Sequence, residues 1–166
     1  GYNALSANTT GTLNVAVGSE AGADNTTGSN NTAVGQNALH ANTTGGTNTA
    51  VGQNALLLNT TASFNSGFGH SALEACTTGA SNTALGKNSL AANTTGAGNT
   101  AVGHNTLSAT TTGGSLVGIG KSAGDTVTTG GNSIFIGELS DASGATVSNE
   151  IVIGYASTGK GANTGF

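Results

Sequence analysis

Glycine recurs at every seventeenth position of this chain, and that recurrence limits the folds open to it more than any other feature. The positions are Gly1, Gly18, Gly35, Gly52, Gly69, Gly86, Gly103, Gly120, Gly137 and Gly154, with no insertion or deletion between them. A fixed period is the signature of a repeat architecture in which each unit packs on its neighbours. The consensus is G-x-N-A-L-x-A-N-T-T-G-x-x-N-T-A-V, and columns are numbered below from its first glycine.

Known helical repeats need about 33 residues or more, so seventeen is too short for a helix pair. The unit is instead punctuated by turn formers, "NTTG" and "GxxN". Between them lie two short pieces, "NTAV" and "NALxA", and each unit is expected to read strand, turn, strand, turn. The fold class expected is all-β: a parallel β-solenoid, or β-roll, of seventeen-residue coils stacked about 4.8 Å apart.

Column seventeen is apolar in every complete unit, with Val17, Val34, Val51, Val102, Ile119, Ile136 and Ile153 as its β-branched members. With Leu39, Leu56 and Leu73 of column five, these residues are the expected core. Alternation along a strand would then turn the Ala16-type column outward, where its small size allows another chain to approach closely. In the second piece, the Leu5 and Ala7 columns are expected to face inward together. The glycines that follow column seventeen (Gly18, Gly35, Gly52, Gly69, Gly86, Gly103, Gly120, Gly137 and Gly154) are expected to turn the chain with positive φ. Asn14, Asn31, Asn48, Asn65, Asn82 and Asn99 are expected to stack as an amide ladder.

Composition narrows function mostly by exclusion. Charged residues make up 6% of the chain, with three lysines, no arginine and a formal charge of −4. No basic patch suited to nucleic acid is available. No apolar run approaches the roughly twenty residues of a membrane span. The residues are expected to be an excerpt of a longer protein or a processed piece. Carboxylates are scattered and no Ser/His/Asp set recurs, so no enzyme, catalytic residue or cofactor is expected. His70 and His104 share an outward column but stand two coils apart, roughly 10 Å by strand spacing, too far for one metal. Calcium-binding rolls need Asp in each turn, which is missing here. Ice binding needs T-x-T on one strand face, whereas Thr9-Thr10, Thr26-Thr27 and Thr43-Thr44 are adjacent. Asn8, Asn25, Asn42, Asn59 and Asn93 head N-T-T sequons, the glycan-acceptor pattern. Asn-Thr-Thr-Gly is also good turn chemistry spread by duplication, and that reading is preferred. Cys76 stands in this Asn column, and a lone cysteine forms no intrachain disulfide.

Two stretches resemble known repeats. Asn132-Ser133-Ile134-Phe135-Ile136-Gly137 and Asn149-Glu150-Ile151-Val152-Ile153-Gly154 are similar to the strand-and-turn motif in the heads of trimeric autotransporter adhesins. The "NTAVGxNALxxNTTG" array resembles the repeats of phage tail fibres. The resemblance implies a left-handed β-roll and a homotrimer, extracellular, in a virion tail fibre or on a bacterial cell surface. It implies the structural shaft of an attachment fibre that spaces a receptor-binding tip and contacts a host-surface glycan or protein. The alternative is a bacterial trimeric adhesin or a self-assembling extracellular filament of the same fold. Residues 1–120 are expected to be uniform shaft. Residues 121–166, with six of the ten charged residues, are expected to be diverged repeats leading to another segment.

Overall fold

The computed structural model describes residues 1–161; the last five residues of the 121–166 segment lie outside the described residues. The chain is a parallel β-solenoid with one strand per coil. The strands are β1 (Val15–Val17), β2 (Thr32–Val34), β3 (Thr49–Val51), β4 (Ser66–Phe68), β5 (Thr83–Leu85), β6 (Thr100–Val102), β7 (Val117–Ile119), β8 (Ile134–Ile136) and β9 (Ile151–Ile153). They form one sheet in sequence order. Pairing steps by one period each time, as in Thr32↔Thr49, Ala33↔Ala50 and Val34↔Val51. Nine coils at that spacing give a rod about 40 Å long.

The second piece is not a strand. In "GQNALHAN", Asn37 has φ 58° and Leu39 φ 54°, and the same two columns are positive in the other Leu-bearing coils. The Ala38 N–H bonds back to the Gly35 carbonyl at 3.3 Å, closing a four-residue turn with positive φ at its third residue. That site favours Gly or Asn, so the consensus Asn is there for its backbone. Alternate left- and right-handed residues break the pleat. The segment still stitches coils together: Asn37 N–H bonds back to Ser19 O, and Leu39 N–H bonds forward to Ala55 O.

This backbone reverses part of the expected facing. Alternation holds within β1–β9, but it is the middle residue of each strand that points inward: Ala33, Ala50, Ala84, Ala101, Phe135 and Val152 are buried. Val17, Val34, Val51, Val102, Ile119, Ile136 and Ile153 face outward, half-buried or exposed, and are not core. Leu39, Leu56 and Leu73 are buried. Beside them lies column four (Ala21, Ala38, Ala55, Ala72), not column seven, because two consecutive residues can face inward where φ alternates in sign. The interior is narrow, so it is filled by alanine, one leucine per coil, and asparagine.

Column-one glycines have φ between 123° and 138° from Gly18 to Gly154. A Cβ on Gly35 would lie 2.6 Å from the Gly52 carbonyl oxygen of the next coil, so both the dihedral and the close stacking require glycine.

Candidate functional site: the outer sheet face

A three-residue strand shows solvent two side chains, columns fifteen and seventeen. The outer face of β1–β9 is therefore two parallel ranks. Column fifteen runs Val15, Thr32, Thr49, Ser66, Thr83, Thr100, Val117, Ile134, Ile151. Column seventeen is wholly apolar, with Val17 57%, Leu85 49% and Ile153 50% exposed. Phe64 of column thirteen, in the same coil as Phe68, is also exposed. No residue of either rank carries a charge. The outward threonines form Thr-x-Val or Thr-x-Leu pairs, not T-x-T.

The sequence contained one sign of this arrangement. Column seventeen varies in volume from Val to Phe to Leu to Ile, while column sixteen is Ala or Gly in every coil up to β7. A narrow interior restricts size, and an outer face does not.

The sequon asparagines lie on the inside. Asn25, Asn42, Asn59 and Asn93 are buried and Asn8 is half-buried. Asn42 Nδ2 donates to Asn25 Oδ1 at 2.6 Å and to the Gly45 carbonyl at 2.9 Å. Asn59 Nδ2 repeats the pattern onto Asn42 Oδ1 and the Ala62 carbonyl. These amides are engaged within the folded coil, which does not present them for glycan transfer. The amide-to-amide ladder thus belongs to the Asn8 column. The Asn14 column bridges backbones instead: Asn48 N–H donates to Asn31 Oδ1 at 2.9 Å, and Asn31 Nδ2 donates to the Gly45 carbonyl at 2.8 Å. A third series comes from the first Thr of "NTT", whose hydroxyl donates to the same residue's carbonyl one coil on, as Thr43 does to Thr60 at 3.0 Å. These staples tie each coil to the next.

Titratable groups lie off the face. His40 sits 3.4 Å from Glu20 and 3.6 Å from Asp24, through opposite ring nitrogens, so the three cannot share one ion. Among the described residues no group of three His, Cys, Asp or Glu could hold a metal. Burial pushes the Cys76 thiol up to about 11, only partly offset by the Gly79 backbone, so thiolate chemistry is suppressed. Asp125 is raised by burial and by the adjacent Asp141 carboxylate. For Glu150, burial pushes the carboxyl up, but hydrogen bonds from the Ser143 hydroxyl, Ser143 N–H and Gly161 N–H outweigh this and hold it below the usual range.

Among the described residues no helix is long and apolar enough to cross a membrane. Comparison with protein-family models, with curated proteins and with solved structures found no match to the chain.

Proposed function

We propose that the chain is the structural shaft of an extracellular attachment fibre, assembled as a homotrimer through the outer sheet faces. The carrying observation is the uncharged double rank along β1–β9. Its footprint is about 40 Å by 10 Å, or ~400 Å2. Half of that strip is the wholly apolar column seventeen, and the largest exposed apolar patch of a monomer is often functional. The rank repeats at the coil spacing, so the partner it fits is another rank with the same repeat, supplied by a second copy in register. The similarity of the repeats to those of phage tail fibres and adhesin heads supports three copies around an axis and a role in spacing a tip from a surface. The Ala16-type column, buried inside each coil, is no longer available as the interface.

Light scattering on the folded chain tests this. A trimer that becomes a folded monomer in Val51→Lys/Leu85→Lys supports the reading. A wild-type chain that is already monomeric at micromolar concentration overturns the assembly.

A further inference from the structure

Every residue of column thirteen is exposed and holds a left-handed backbone, from Leu13 at φ 58° to Asn149 at φ 61°. Asparagine and glycine take that conformation readily, and bulky side chains do not. Most coils obey this: the column holds Asn30, Asn132 and Asn149, glycine at Gly98, and serine or threonine at Thr47, Ser81 and Ser115. Phe64 departs from it. Its side chain is 63% exposed and its φ is 64°. A buried leucine at positive φ, such as Leu56, offsets the strain by packing inside its own coil. An exposed ring gains little of that within its own chain. Leu13, three coils away, is the column's other apolar member.

Two further departures fall in the same coil. Phe68 is the one aromatic residue of column seventeen, and it is 39% exposed. Ser66 is the one member of column fifteen that is not β-branched. The smallest side chain of that rank therefore stands between phenylalanines at columns thirteen and seventeen.

The area of the outer face gives these departures a use. Columns fifteen and seventeen together cover ~400 Å2, about half of the roughly 800 Å2 that each partner contributes to a stable interface. Assembly through that face needs apolar surface beyond the two ranks, and column thirteen is the next outward position on the column-fifteen side. Contacts around a three-fold axis are heterologous, so the column-thirteen side of one face meets the column-seventeen side of the next.

We propose that Phe64 is an anchor of the homotrimer, packing on Phe68 of the neighbouring copy at the same coil level, with Ser66 leaving room for the ring. This rests on the shaft reading above and names the residues that fix its register. In register, each of the three interfaces holds one such aromatic pair. A shift of one coil sets Phe64 against Val51 or Leu85, and Phe68 against Thr49 or Thr83. Interface anchors are enriched in aromatic side chains and carry a large share of the binding energy. Strain at Phe64 is then a cost in the single chain that packing in the trimer offsets.

A dilution series followed by sedimentation equilibrium tests the pairing. Phe64→Asn is expected to raise the concentration at which the trimer half-dissociates by about ten-fold or more. Phe68→Val should do likewise, and the double variant should add little further, because both remove one contact. In the monomeric Val51→Lys/Leu85→Lys chain the sign reverses: relief of strain by Phe64→Asn should lower the unfolding constant about ten-fold. A purely structural role for Phe64 in its own coil would raise that constant instead. A Phe64→Asn trimer as tight as wild type, additive losses in the double variant, or a monomer destabilised by Phe64→Asn would each overturn the proposal and leave the shaft standing. A wild-type chain that is already monomeric removes the assembly and the anchor together.

Discussion

Asn59 Oδ1 is buried without a hydrogen-bond donor because Cys76, one coil on, donates its thiol to the Gly79 carbonyl at 3.2 Å. In the coils before it, the next asparagine supplies that donor, as Asn59 itself does for Asn42. Cys76→Asn is expected to give Asn59 Oδ1 its partner and to accept from Asn93 Nδ2 in turn. Satisfying a buried carbonyl of this kind contributes about 1–2 kcal/mol. The melting temperature should rise by several degrees, and thermal denaturation of the single variant checks it. A fall in melting temperature would mean that the ladder does not carry stability through these coils.

Coil eight shows a size exchange across the interior. Gly124 stands where six other coils have leucine, and Phe135 stands where alanine or glycine stood before. A Cβ on Gly124 would lie 2.7 Å from Phe135 Cδ2, so the ring occupies the leucine's space. Phe135→Ala alone should cost about 3–5 kcal/mol through the cavity it leaves. Gly124→Leu alone should clash and cost at least 1–3 kcal/mol, roughly. The double variant restores the consensus and is expected to recover most of both losses. Chemical denaturation of the four species measures the coupling, and additive losses would contradict the exchange.

The buried leucines hold a conformation that leucine avoids. Leu73 is fully buried at φ 55°. An L-residue in the left-handed region costs about 1–2 kcal/mol. Leu73→Ala is expected to cost about 2–5 kcal/mol, since it loses the packing and keeps the strain. Leu73→Gly loses slightly more packing but relieves the strain, so it should be no worse than alanine, the reverse of their order in regular structure. Gly22 and Gly124 already occupy this column with φ 60° and 67°. Unfolding midpoints of the two variants decide the order.

What the sequence makes legible is the period, the parallel stacking and the turn glycines, since each follows from one residue type at a fixed spacing. The facing of the strand is harder. With only three residues per strand, alternation allows Val34 or Ala33 to be inside, and hydrophobicity favours valine. The width of the coil decides for alanine, and that width is set by Leu39, Asn42 and Asn48 filling the interior together. The "NALxA" piece misleads for a related reason. Leucine at positive φ is disfavoured locally, so only the stacked coil, which buries each leucine, selects it. The candidate site inherits the same ambiguity: reversing one strand's facing turns the expected core column into the outer face.

Two carboxylates in the last coils give stability opposite pH dependences. Glu150 is buried in the Asn14 column, and its oxygens accept from the Ser143 hydroxyl at 2.7 Å and from the N–H groups of Ser143 and Gly161. Its folded pKa lies below the unfolded value, so its contribution is present above the ordinary carboxylate range, near 4.5, and is lost as pH falls through the lower folded pKa. Asp125 is raised by burial and by Asp141, so it favours folding at acid pH and loses that contribution as pH rises through its higher folded pKa. Glu150→Gln should therefore flatten the acid limb of the stability profile below about pH 4.5 and lower the neutral plateau. Asp125→Asn should raise the neutral plateau and leave the most acid stability nearly unchanged. Thermal melts of both variants from acid to neutral pH read the two signs separately. A Glu150→Gln variant as acid-sensitive as wild type would show that the buried carboxylate does not anchor the last coil.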